Sequence, residues 1–149
     1  MLIVPPPIFA IVYLLVGAGL SYLLGWPEIP AKNIAFFIGG ACVLVGLLLA
    51  PSAALLFMKE KTDLNPAARE NRTLVTSGPF RFTRNPMYLG VSIATLGVAL
   101  MMGSWPMLLA PFATFATANW VHIPAEEANM RRQFGDDFDA YARRVRRWL

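Results

Sequence analysis

The sequence predicts an all-α integral membrane protein with four transmembrane helices and a C-terminal amphipathic helical segment. Three observations predict it. Hydrophobic residues make up 56% of the 149 positions and charged residues 15%, with a mean hydropathy of +0.51, a balance soluble domains rarely show. Four apolar runs reach or approach the roughly 20 helical residues that cross a hydrocarbon core. The basic residues cluster on alternate sides of those runs. The length suits one domain, residues 1–149.

The first run, 8–24, follows Pro5, Pro6 and Pro7. No Lys or Arg precedes it and no small-residue cleavage pattern follows, which argues against a cleaved secretory signal. It is expected to stay as the first span. The second run is 34–58, the third 87–103 and the fourth 105–123; the third is short. Backbone groups cannot stay unpaired in lipid, so helices are the expected form. Gly17, Ser21 and Gly25 recur every four residues in the first run, and Gly39, Gly40 and Gly46 punctuate the second. Small residues allow close helix approach. The "GAG" at 17–19 is no nucleotide loop, because no strand precedes it. Cys42, the single cysteine, reads as a packing residue that can form no intrachain disulfide. With one distant histidine it makes no metal site.

The charges set the orientation. Only Lys32 lies between runs one and two, and no basic residue lies between three and four. Lys59, Lys61, Arg69, Arg72, Arg81 and Arg84 fall in the 59–86 loop; Arg131, Arg132, Arg143, Arg144, Arg146 and Arg147 fall in the 124–149 tail. The positive-inside rule makes loop, tail and N-terminus cytoplasmic. The net charge of +4 then reflects topology and anionic membrane lipids. It calls for no nucleic acid, and no protein partner is expected.

In the tail, Met130, Phe134, Phe138, Tyr141, Val145 and Trp148 follow one another at steps of three or four, one face of a helix. Gly135 followed by Asp136 is expected to end one helix and cap the next. Such a segment either lies in the headgroup layer or folds back over the mouth of the bundle.

The stretch "SGPFRFTRNPMYLG" (77–90) carries more polar chemistry than anchoring needs. Asn85 and Pro86 read as the N-cap and first residue of a helix, whose leading amides favour an anion. Arg81 and Arg84 would reinforce it, and Phe80 and Tyr88 offer aromatic faces. Across the mouth stand Glu126 and Glu127, with His122 one turn earlier. An anion-binding helix start, an aromatic shelf and acceptor carboxylates suit a zwitterionic ligand.

Together, "LVTSGPFRFTRNPMYLG" (74–90), a fourth span and "EEANMRRQFGDDFDAYARRVRRW" (126–148) resemble the isoprenylcysteine carboxyl methyltransferase family and its small bacterial relatives; "TDLNP" (62–66) resembles that family's loop. The resemblance covers roughly residues 55–149. It implies a membrane-embedded methyltransferase of the bacterial inner membrane, using S-adenosylmethionine and releasing S-adenosylhomocysteine. By position, the cofactor would touch Asn65, Arg72, Thr73, Leu74, Val75, Phe80, Asn85, Pro86, Met87, Tyr88 and Glu126. A lipophilic acceptor with a carboxylate, amine or thiol would enter from the bilayer. Asn85 stands where the family more often has His. His122 stands where the eukaryotic enzymes have an Arg that holds the prenylcysteine carboxylate. His122 and Glu127 are the catalytic candidates on the acceptor side, for orientation or proton uptake.

Two rival readings remain at this stage. Membrane sterol reductases share the R-[HN]-P-x-Y helix entry and use NADPH, whose extra phosphates would want more cations. A non-enzymatic four-helix membrane protein would be expected to lose Asn85, Tyr88 or Glu126, and all three are present.

Overall fold

The computed structural model describes residues 5–59 and 73–149. Asn65 and Arg72 lie outside the described residues. Apart from one isolated bridge between Glu28 and Ser104, the regular elements described are helical.

α1 (Pro6–Leu23) opens on prolines, whose fixed φ suits a first turn and whose missing N–H has no helical partner to lose. α2 (Lys32–Lys59) runs back across the bundle through Pro51. Both are long and apolar enough to cross a membrane; α3 (Pro86–Met102) is apolar but shorter. Their bounds lie within two residues of the expected runs 8–24, 34–58 and 87–103.

The fourth run differs from expectation. It is a composite: a 3₁₀ turn at Trp105–Leu108, α4 (Leu109–Thr117), a π-helical turn at Ala118–His122, then α5 (Ile123–Phe134). The junction residues Leu109, Ala118 and Ile123 keep helical dihedrals, so the expected boundary at 123/124 is not a break. Pro124 is the reason for the wide turn. It has no N–H to give, and just before it the Ile123 N–H bonds the carbonyl of Ala118, five residues back.

α2 and α3 pack most closely. A methyl at Gly90 would meet the Ala50 nitrogen at 2.7 Å, and one at Gly97 the Val43 nitrogen at 2.7 Å, so glycine lets the backbones touch. Gly39 and Gly46 face these positions from α2. Gly40 faces open space, and Gly25 serves a turn at φ +72°. At one end of the bundle the connections are zipped together: Ile29 N–H bonds Gly103 C=O at 3.0 Å, and Trp105 N–H bonds Pro27 C=O at 3.0 Å.

The opposite end holds the starts of α1 and α3, the end of α2 and the tail. Gly135, at φ +50°, breaks the chain between α5 and α6 (Asp136–Arg144). The expected Asp136 cap is not formed. Gly135 holds the cap position, and Asp136 joins Asp137 and Asp139 in the first turn, where carboxylates complement the dipole. The apolar face folds back over the bundle: Phe138 and Tyr141 are buried with Ala53, Val75 and Phe80, and Met130, Phe134 and Val145 pack around them. The Tyr141 hydroxyl donates to the Phe80 carbonyl at 2.8 Å.

Candidate active site

The start of α3 is held by an irregular strap, residues 145–149, that follows α6. Asn85 sits at the N-cap position but makes no side-chain cap bond. Its amide donates instead to the Arg147 carbonyl at 3.0 Å. The expected capping role is therefore corrected: the side chain is turned to the strap, where its NH₂ donates, and its oxygen caps no helix amide. Thr83 donates to the same carbonyl at 3.0 Å, and the Arg84 backbone N–H bonds the Arg146 carbonyl at 2.9 Å.

Arg84 does not wait for an anionic ligand. Its guanidinium donates to the carbonyls of Ala142 and Val145 at 3.0 and 2.6 Å and to Glu127 at 2.7 Å. Arg147 reaches the other oxygen of Glu127 at 2.6 Å. Burial works to raise the Glu127 carboxyl, but the hydrogen bonds and charges of Arg147 and Arg84 outweigh it and hold the group below the usual carboxylate range. A carboxylate so engaged is a poor proton acceptor. Of the two roles expected for Glu127, the geometry fits orientation.

Glu126, next in sequence, has the opposite setting. It accepts the Tyr88 hydroxyl at 2.5 Å, and among the described residues no Lys or Arg forms an ion pair with it. Burial pushes its carboxyl up to about 7; the Tyr88 hydrogen bond pulls down and the Glu127 charge adds to the rise.

These groups line one partly open cavity of about 80 Å³. Thr73, Leu74, Val75, Phe80, Asn85, Pro86, Met87, Tyr88, Glu126 and Glu127 all border it, as the sequence leads one to expect. Arg84, expected to reinforce the helix start, also borders it; sequence reasoning missed Phe57, Met130, Phe138 and Tyr141 as lining groups. The helical period of the tail was the available signal for the last three, but it does not say which surface the apolar face covers.

His122 does not border that cavity. It is buried behind Tyr88, its ring 6.0 Å from the tyrosine ring and stacked on Phe9 at 5.2 Å. Its Nδ1 has no hydrogen-bond partner among the described residues. The Trp148 indole closes this side, donating to Asn119 at 3.0 Å and packing on Phe115. Tyr88 thus borders the Glu126 cavity, and His122 packs near its ring together with Phe9 of α1.

A family model described as phospholipid methyltransferase matches residues 34–137. It takes in the second apolar run, which the sequence motifs did not reach. A probable protein-S-isoprenylcysteine O-methyltransferase from Oryza sativa subsp. indica is 27% identical over 133 residues, covering 85% of this chain and 66% of that protein. Protein-S-isoprenylcysteine O-methyltransferase B of Arabidopsis thaliana is 29% identical over 109 residues, 72% of this chain and 55% of that protein. The Schizosaccharomyces pombe protein-S-isoprenylcysteine O-methyltransferase is 31% identical over 85 residues, 53% of this chain and 34% of that one. The chain spans about two thirds or less of the length of these curated relatives. No solved structure matches it. The resemblance carried by the separated motifs is borne out.

Proposed function

The chain belongs to the phospholipid methyltransferase family, and from that premise we propose that it is a membrane enzyme transferring a methyl group from S-adenosylmethionine to a lipophilic acceptor. The observation that carries this reading is Glu126: a buried carboxyl facing a cavity with Tyr88 as its hydrogen-bond donor and no cationic partner among the described residues. It matches the ammonium or sulfonium of the cofactor. Phe80, Met87 and Phe138 supply apolar walls for the adenine, and the 73–75 segment brings backbone groups to the same cavity. Asn65 and Arg72 join the set by resemblance alone.

S-adenosylmethionine, when bound, supplies an electrophilic methyl. The chain's part is alignment and exclusion of water, and alignment alone can contribute up to roughly 7–11 kcal/mol in ideal cases. Glu126 and Tyr88 hold the cationic end, and α6 covers the cavity from the water side. Behind Tyr88, the unpartnered Nδ1 of His122 is the group suited to receive or orient a proton of the acceptor. Glu127 orients the wall that carries Glu126. A prenylated cysteine, and with it a prenylated protein, is one candidate acceptor, a reading supported by the names of the relatives; lipid carboxylates, amines and thiols complete the class.

The topology follows the charges. α3 and the composite run serve as spans three and four. The end holding the cavity also carries Lys59, Arg81 and the tail arginines, so it faces the cytosol, in a bacterial inner membrane.

The test is direct. Membranes containing the protein are incubated with methyl-labelled S-adenosylmethionine, and extracted lipids and a farnesylated peptide are assayed for label. Label is expected in a lipophilic product, with thermal stabilisation by S-adenosylhomocysteine and not by NADPH. Stabilisation by NADPH alone, or by neither ligand, sinks the proposal.

A further inference from the structure

The strap is tied to the entrance of α3, to α5 and to the π turn. The Arg147 carbonyl accepts from Thr83 and Asn85, at 3.0 Å each, at the entrance to α3. The Arg147 guanidinium reaches Glu127 on α5 at 3.2 and 2.6 Å. Arg84 meets the same carboxylate from the other side at 2.7 Å. Trp148, next along, bonds Asn119 in the π turn at 3.0 Å. One residue therefore bonds both walls of the cavity: α3, which carries Asn85 and Tyr88, and α5, which carries Glu126. The family match ends at residue 137, before the strap.

We propose that Arg147 is a positioning residue of the site, its carbonyl and guanidinium together fixing the distance between the Asn85–Tyr88 wall and Glu126. The inference rests on the methyltransferase reading and deepens it. Arg147 has no need to touch a ligand. It acts through Glu127 and Asn85, and a helix-borne carboxylate displaced by even about 1 Å can cost a ligand most of its affinity. Arg146 provides the internal comparison. Its carbonyl takes the Arg84 N–H, but the residue is exposed.

Among the described residues, the groups around Glu126 are Tyr88 from α3, Glu127 and His122 along its own chain, Arg84 and Arg147 beyond Glu127, and Tyr141 from α6 across the cavity. Removing the Arg147 charge leaves Glu127 with one cation instead of two. The less compensated carboxylate then drives the Glu126 midpoint further up.

The experiment uses the full chain in phosphatidylcholine nanodiscs. S-adenosylhomocysteine affinity is measured by calorimetry. The protonated-carboxyl infrared band of Glu126, assigned by its loss in Glu126→Gln, is titrated without ligand. Arg147→Ala is expected to weaken binding about ten-fold or more and to raise the infrared midpoint. Arg147→Lys should recover the midpoint and most of the affinity, and Arg146→Ala should stay within about two-fold of the unaltered chain. If the alanine variant does not assemble, Arg147→Gln carries the same comparison. The proposal is overturned if loss of Arg147 lowers only thermal stability while affinity and midpoint hold, or if Arg146→Ala has the same effect. Should the unaltered chain not bind S-adenosylhomocysteine, the methyltransferase reading fails, and the ligand-free midpoint still decides the role of Arg147.

Discussion

Lowering the pH from 8 to 6 removes the charge from Glu126 if its carboxyl titrates near 7. By the ordinary titration relation, a group with that midpoint is about 91% ionised at pH 8 and about 9% at pH 6. A ligand whose cation needs the ionised form loses affinity by that ratio, about ten-fold or 1.4 kcal/mol. Calorimetric titration with S-adenosylhomocysteine in steps between pH 6 and 8 should show this slope, with binding accompanied by proton release near pH 7. Glu126→Gln should bind weakly with no slope across the window. Glu127 cannot produce the effect, because its two arginines hold its carboxyl below the usual range. An affinity that is flat in the native chain, or equally steep in Glu126→Gln, refutes the assignment of Glu126 to the cation.

Other outcomes follow from the same geometry. Glu126 has a folded value raised from 4.5 to about 7, so its contribution to stability is complete below about 4.5 and is lost as pH rises through 7; Glu126→Gln should therefore stabilise the chain at pH 8, by up to about 3 kcal/mol, and leave it unchanged near pH 4, as read by thermal unfolding in detergent. Tyr88→Phe removes the donor that pulls the Glu126 carboxyl down, so the infrared midpoint of Glu126 should rise. Arg84→Ala leaves Glu127 short of a cation and two tail carbonyls short of a donor; the loss should approach the roughly 3–5 kcal/mol seen on breaking buried pairs, reported as a fall in Tm. Gly90→Ala places a methyl 2.7 Å from the Ala50 nitrogen and should destabilise by about 1–3 kcal/mol, whereas Gly40→Ala, facing open space, should not destabilise.

The apolar runs were legible because lipid imposes a length and a composition on whatever crosses it. The bounds of α1, α2 and α3 follow from that, and the Gly135 break follows from the residue's freedom at φ +50°. The convergence of Asn85, Tyr88 and Glu126 was legible from motif order and from the charge pattern that put both segments on one face. The composite character of the fourth run was not. Hydropathy does not distinguish an α-turn from a π-turn, and only the position of Pro124, with no N–H to give, hinted at an irregularity. The strap was invisible for a different reason. Its bonds to the entrance of α3 use the carbonyls of Val145, Arg146 and Arg147, which every residue possesses, and nothing in the spacing of the tail arginines singles out Arg147 as the one that also reaches Glu127.

Glu126 and Glu127 show how position decides the chemistry of identical side chains. Successive residues on a helix point about 100° apart, so the pair cannot share partners. The turn of α5 that sends Glu127 toward Arg84 and Arg147 sends Glu126 toward Tyr88. Both arginines then go to one carboxylate, and among the described residues the other is left buried with a hydroxyl donor alone. Had a guanidinium reached Glu126 as well, its carboxyl would sit low, its charge would be neutralised and a cationic ligand would gain little by approaching. The ion pairs that fasten the tail to the bundle thus leave the other carboxylate at the cavity wall without a cation among the described residues, and the proposed ligand carries one.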